Sequence, residues 1–153
     1  MRAHAAAARI DLPITRFPAA TRTATDAARE IGCGVEEIVK SLVFRAGDEM
    51  VVALCSGADR VDEARLASAI GASSVRRATA GEAKSATGYP IGGVPPFGHA
   101  TPLRVVADRR LLDFDRVWAA AGLPDAVFPI APADLVRLGS ASIADVAVIA
   151  PVA

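Results

Sequence analysis

At 153 residues and 52% hydrophobic content, the chain has the size of one domain and ample apolar material for a core. Its 17 basic residues balance 17 acidic ones, so no overall field draws it to nucleic acid or to an anionic membrane surface, and any site for a polyanion must be local. No apolar run approaches a membrane span, and Cys33 and Cys55 have no metal-ligand spacing and follow no secretory signal, so a reducing cytoplasm is the expected setting, with both thiols as small buried side chains.

Residues 1–14 read as an N-terminal tail and 15–153 as a single domain. A helix is expected over 25–31, opened by a Thr or Asp cap and closed near Gly32 or Gly34, with a second short helix at 35–39. The runs 41–45 and 50–55, separated by a turn at 46–49, are a β-hairpin signal. Lys40 therefore stands where a helix hands over to a strand. Residues 56–60 read as a turn, and 61–70 as a helix with Val61, Ala64, Leu66, Ala67 and Ile70 at helical spacing, ended by Gly71. A short strand at 74–77 and a helical turn at 80–87 lead into a segment rich in glycine and proline. Beyond it come a buried strand at 103–107, a turn at 108–110, an extended piece at 111–114 and a strand end or short helix up to 121. A strand at 127–130, whose Pro129 suits a sheet edge, precedes a helix at 131–138 with Pro132 at its start. The 142–149 stretch is a strand throughout, or a helix passing into one. Hairpins mixed with short helices, without an internal repeat or a linker, indicate an α+β domain.

The segment from Gly88 to His99, with Pro90, Gly92, Gly93, Pro95, Pro96 and Gly98 inside it, is too apolar for a flexible linker and too broken for a helix or strand. It reads as a rigid loop able to aim main-chain N–H groups at a carbonyl or phosphate oxygen, or else as a structural turn between strands. A second signal is the choice of cations: 15 arginines accompany only two lysines, Lys40 and Lys84. An ammonium is a compact point charge where guanidinium is a wide planar fork. His99 directly follows the loop and is placed either to bond a ligand or to be satisfied structurally. No nucleophile elbow, zinc-protease motif, paired-cysteine motif or Walker loop is present, and no metal or cofactor is assigned. What remains is a site of main-chain amides, one lysine and small hydroxyls, suited to holding a reactive substrate while water attacks.

These residues resemble a known family. The run Glu37, Ile38, Val39, Lys40, Ser41, Leu42, Val43 and Phe44, then Ser56 and Gly57, then the loop from Thr87 to His99, is similar to the YbaK/EbsC family, which shares its fold with the editing domain of bacterial prolyl-tRNA synthetase. The resemblance spans roughly residues 15 to 150 and continues through Leu111, Leu112, Trp118 to Pro124, and Ala131 to Leu135. It implies a mixed, largely antiparallel, barrel-like sheet core with short surrounding helices. It also implies an aminoacyl-tRNA deacylase acting in trans on tRNA of proline or cysteine type. Lys40 would match the family's lysine near the 3′-terminal ribose or phosphate, and Gly92, Gly93 and Gly98 would shape the substrate-gripping loop. Ser56, Gly57, Val94, Pro95, Pro96, Phe97 and His99 would be substrate-binding. The family is thought to recruit the substrate's own 2′-hydroxyl or side chain, so no triad is needed.

The apolar stretch 121–128 departs from the basic, glycine-rich stretch that some Cys-tRNA deacylases carry there, which weighs against cysteine as the amino acid removed. Val94 and Phe97 suggest apolar pocket walls and a small amino acid such as alanine, serine or threonine. Arg45, Arg60, Arg76, Arg77, Lys84 and Arg104 are candidates for a local RNA-binding patch. The expected partner is the acceptor end of an aminoacyl-tRNA, with an aminoacyl-tRNA synthetase as a further partner. The alternatives are a catalytically silent module that binds a tRNA 3′ end, a nucleotide or a protein in the same groove, and a purely regulatory or surface-associated protein.

Overall fold

The computed structural model describes residues 12–17, 23–123 and 125–149. In chain order the elements are β1 (Thr15–Arg16), α1 (Ala24–Ile31), a 3-10 turn (Val35–Glu37), β2 (Val39–Ala46), β3 (Glu49–Ser56), β4 (Asp59–Val61) and α2 (Glu63–Ile70). There follow β5 (Arg76–Arg77), α3 (Ala80–Thr87), β6 (Arg104–Asp108), a second 3-10 turn (Arg109–Asp113), β7 (Val117–Ala120), β8 (Ala126–Ile130), α4 (Pro132–Gly139), β9 (Ser142–Ala144) and β10 (Ala147–Ile149). Of the expected N-terminal tail, residues 1–11 lie outside the described residues, while Leu12 is already buried in the main core.

The central sheet has the order β5-β2-β3-β6-β9. Strand β2 runs antiparallel to β3 from Val39↔Ser56 to Ala46↔Glu49, and β6 runs parallel to both β3 and β9. A second sheet, β1-β8-β7, is antiparallel and touches the first through a parallel bridge between Ile38 and Trp118. Strands β4 and β10 form a third, two-stranded sheet. The fold is mixed α+β, as expected, but these sheets are open. No closed barrel forms among the described residues, because β5 and β9 end the central sheet without meeting.

Strand β3 shows why its sequence is an unbroken apolar run rather than an alternating one. Val52 and Leu54 face a core built with Phe97, Phe128 and Leu135, while Val51 and Ala53 face a second core with Phe44, Leu66 and Val146. Both faces are covered, so both sets of alternating positions are apolar.

Local chemistry sets the helix ends. The Thr23 hydroxyl accepts the Asp26 N–H at 3.1 Å to open α1, and Gly32 closes it at φ 84°, a left-handed geometry that suits glycine. Helix α2 starts two residues later than its periodicity suggests, because Asp62 caps it and Val61 already pairs with Ala147 of β10.

Other departures have similar causes. The expected helix at 35–39 is one 3-10 turn, since Ile38 is extended and Val39 is drawn into the sheet. The 56–60 turn contains the start of β4, whose partner strand lies far along the chain. The 111–114 piece is 3-10 rather than extended, opened by the Asp108 carboxylate accepting the Arg110 N–H. The other oxygen of Asp108 accepts the N–H groups of Val146 and Ala147 at 3.0 Å, and there the final stretch divides into two short strands. Strand β8 has β7 on one side, and on its other side β1 pairs only with Ala126 and Val127, so Pro129 lies beyond the reach of β1.

Helix α3 is locked to the central sheet through Glu82. This residue completes a capping box with Thr79 and also binds Arg45 of β2 at 2.6 Å and Arg76 of β5 at 2.9 Å. The Arg76 guanidinium, the Thr79 N–H and Arg45 together hold its carboxyl well below the usual carboxylate range. A carboxylate with a depressed folded pKa contributes its full stabilisation above its ordinary value of 4.5, and loses it as pH falls below that toward the folded value. Glu82→Gln is therefore expected to be less stable than wild type at pH 7 in urea denaturation, with the gap narrowing steadily below pH ~4.5. A gap independent of pH from 7 to 3 would remove the ionic role.

Candidate functional site

Strand β3 holds one edge of β2 for its whole length, but β5 reaches the other edge only at Phe44 and Arg45, with the Ala78 N–H extending the contact to the Val43 carbonyl at 2.9 Å. Antiparallel alternation then points the Ser41 N–H and C=O away from β3, into the unpaired edge. Against this edge lies a cavity of about 450 Å³. Its walls are Lys40, Ser41, Leu42 and Val43 of β2, Ala83 of α3, and Ile91, Gly92 and Val94 of the glycine-proline loop. Ala24 and Ala27 of α1 and Ala120, Ala126 and Val127 of the second sheet close it. Their short side chains leave the space open.

Lys40 is half-buried on β2, and its ammonium donates to the Asp59 carbonyl of β4. That bond fixes the side chain across the strand edge. Asp59 is itself anchored: its buried carboxylate pairs with Arg110 at 3.0 Å, and burial raises its pKa against the opposing pull of Arg110. Gly57 also lines the cavity, and its N–H bonds the Ile38 carbonyl at 2.7 Å. A Cβ there would lie 2.5 Å from the Val35 carbonyl oxygen and 2.8 Å from the Ala24 Cβ, so only glycine fits against the first 3-10 turn and α1. Ser56 is buried just behind, its hydroxyl donating to the Glu36 carbonyl at 2.8 Å and accepting the Ala58 N–H.

The loop is held from below by its own apolar side chains. Phe97 is 1% exposed and packs its ring 5.9 Å from that of Phe128, in the main core. Val94 is buried against Val43 and Ala83 while still reaching the cavity wall. His99 bonds the Pro95 carbonyl through Nε2 at 2.7 Å, clipping the loop's far end together. Gly93 packs on the turn after β7, where a Cβ would sit 3.0 Å from the Gly122 carbonyl oxygen, and Gly122 in turn receives the Tyr89 ring. The Gly93 N–H is committed to Pro90. This leaves the amides of Gly92 and Val94 without a hydrogen-bond partner among the described residues.

Of the residues singled out from sequence, the structure thus brings Lys40, Gly57, Gly92 and Val94 to one cavity. Gly93, Pro95, Pro96, Phe97, Gly98, His99 and Ser56 stand behind its wall. Ser41, Ile91, Arg77 and the face of α1 line it too, though they were not assigned to a pocket from sequence. For Ser41 a signal existed, its place beside Lys40. For α1 none did, because two alanines carry no chemistry of their own.

The site holds no reactive thiol. Cys55 pairs with Lys40 across the hairpin, and burial pushes its thiol up to about 11, while burial and Glu37 also raise that of Cys33. Both are protonated at neutral pH, which leaves cation, amide and water chemistry. Arg45 and Arg76 are engaged by Glu82, and Arg104 by Glu49 at 3.0 Å. Arg60, Arg77 and Lys84 form no ion pair among the described residues.

The model of the aminoacyl-tRNA editing domain family matches residues 18–138. The chain belongs to that family. The chain is 32% identical to the uncharacterised Bacillus subtilis protein YwhH over 80% of this chain and 78% of that one. It is also 34% identical to proline–tRNA ligase of Streptococcus thermophilus over 58% of this chain, a match that spans only 14% of the ligase. Among solved structures, a candidate trans-editing enzyme for prolyl-tRNA synthetase superposes with a TM-score of 0.84 at 43% identity, covering 88% of this chain and 85% of that one. The hypothetical protein APE2540 superposes at 0.89 with 30% identity, covering 96% and 98%. The family is the one the lysine and loop motifs indicate, and no helix among the described residues of this editing domain is long and apolar enough to cross a membrane.

If Phe97 serves to anchor the loop, Phe97→Ala is expected to cost about 3–5 kcal/mol of stability in urea denaturation. A loss under about 1 kcal/mol would show that the ring is not a packing anchor.

Proposed function

We propose that the chain is a trans-editing hydrolase that removes a small, wrongly attached amino acid from tRNA of proline or cysteine type, acting in the cytoplasm beside an aminoacyl-tRNA synthetase. The observation that carries this reading is that Lys40 and Gly92 line the same cavity, one fixed by β4 and the other by a loop rooted in the core. In this reading the 3′-terminal ribose lies against Lys40, and the aminoacyl ester carbonyl faces the amides of Gly92 and Val94.

Hydrolysis then needs one water. Its oxygen adds to the ester carbonyl carbon, and negative charge gathers on the carbonyl oxygen, where the two amides donate. The ester bond to the ribose breaks, the ribose oxygen takes a proton, and the amino acid leaves as its carboxylate. The adjacent ribose hydroxyl is the group within reach to take the water's proton and pass its own to the departing ribose oxygen, since no carboxylate or imidazole among the described residues lines the inner cavity and its Lys40 and Arg77 side chains only donate. Each well-aimed amide can lower the barrier by roughly 3 kcal/mol. The rigid loop supports this role by keeping those donors in place before the charge develops.

Apolar walls from Val43, Ala83 and Val94 favour a small side chain on the amino acid. A methylene is worth only about 1–3 kcal/mol in such a pocket, so selectivity among alanine, serine and threonine is expected to be graded rather than absolute.

Purified protein at catalytic concentration is therefore expected to deacylate tRNA of proline type charged with alanine, serine or threonine over many turnovers, while sparing prolyl-tRNA. Lys40→Ala should lose about 10- to 150-fold in rate, the equivalent of one charged hydrogen bond. Binding of uncharged tRNA without turnover on any aminoacyl ester would instead establish a silent binding module.

A further inference from the structure

The cavity beside Gly92 does not end at Lys40. Residues Lys40, Leu42 and Phe44 lie at alternate positions of β2 and so share the face opposite Ser41 and Val43. On that face is a second cavity of about 640 Å³, and it shares Lys40, Leu42 and Arg77 with the first. The two meet over the unpaired edge of β2.

Their chemistry differs. Beyond the shared Lys40 and Arg77, the inner cavity is walled mainly by small apolar groups and the glycine loop, whereas the second adds Arg60. Its acids are fewer: Asp62 is committed to capping α2 through the Arg65 N–H at 3.0 Å, and Glu63 lies exposed in the first turn of that helix. Arg77 stands 5.6 Å over the Phe44 ring, held by the ring and by the β5 ladder rather than by a carboxylate. Neither Arg60 nor Arg77 forms an ion pair among the described residues, in contrast to neighbouring Arg76, which Glu82 occupies. An orientated guanidinium without a counter-ion, at the mouth of a groove, suits a phosphate oxygen.

We infer that the second cavity is a phosphodiester subsite, and that an RNA strand whose 3′ end occupies the inner cavity leaves across Lys40 and Arg77 toward Arg60. This rests on the hydrolase reading for the position of the 3′ end, but it makes its own claim about strand direction and about two arginines. It also reconciles a chain of zero net charge with a polyanionic substrate. Lys40, Arg60 and Arg77 lie along one short path without an ion pair among the described residues, whereas eight other arginines are paired with carboxylates elsewhere.

The test is equilibrium binding, by fluorescence anisotropy, of a 5′-labelled RNA hairpin ending in a single-stranded 3′ CCA, over a range of salt concentrations. Thermal melting would check that each variant stays folded. Arg60→Gln and Arg77→Gln are each expected to weaken binding at least about threefold at 50 mM salt, and to reduce the slope of log K against log salt by about 0.7. Arg109→Gln removes an equal charge outside both cavities, where Arg109 pairs with Asp145 at 3.3 Å, and should change neither. Equal small losses in all three variants would mean a diffuse field and overturn the subsite. So would competition by adenosine 5′-monophosphate that is as strong against both arginine variants as against wild type.

The two readings fail separately. Hydrolysis dependent on Lys40 but indifferent to Arg60 and Arg77 sinks the strand path alone. RNA binding that depends on both arginines without any ester turnover keeps the path and sinks the hydrolase.

Discussion

The unequal pairing of β2 is the constraint on which the rest of the site depends. One edge is held by β3 over eight residues, while the other is satisfied only where two-residue β5 and Ala78 reach it. A strand edge left open is normally a liability, because its N–H and C=O groups invite pairing with another chain. Here the opening is confined to the stretch around Ser41, and α1, the loop and the second sheet enclose it as a pocket. Glu82 keeps it that short. By binding Arg45 and Arg76 together it secures β5 to the far half of β2, so the gap cannot spread along the strand.

Rigidity of the opposite wall comes from a division of labour within the loop. Phe97 and Val94 supply the anchorage that loops usually lack, since both are buried among side chains of regular elements. Glycines supply the closeness: Gly93 and Gly122 let two turns touch backbone to backbone, with the Tyr89 ring laid over the contact. A wall built this way loses little further entropy when a ligand arrives, which is what a site relying on main-chain donors requires.

Much of this was legible in the sequence, for reasons that can be named. The hairpin announced itself because two apolar runs flank Gly47 and Asp48, α1 because its caps are local chemistry, and α2 because its apolar residues fall at helical spacing before Gly71. The pairing of Lys40 with the glycine-proline loop was legible through a family resemblance rather than through periodicity. What was hidden is non-local. Strand β4 reads as part of a turn because its partner lies some 90 residues further on, and Asp108 gives no sign that it gathers the N–H groups of Val146 and Ala147. An apolar residue in a loop does not declare which way it faces, so Phe97 looks like a pocket wall when it belongs to the core. The small walls of α1 were invisible because space is made by what alanine lacks.

Cys55 offers the molecule an internal clock. Its sulfur sits on β3 directly across from Lys40, with no exposed surface and a thiol kept protonated by burial. A reagent that alkylates thiols can reach it only when the fold opens locally around β3, so the labelling rate counts openings beside the strand that carries the lysine. Cys33, half-buried just past the C-terminal end of the helix whose first turn lines the cavity, would register looser motion of that helix. The ratio of the two rates is thus a built-in gauge of whether a ligand steadies the floor of the pocket or only its margin.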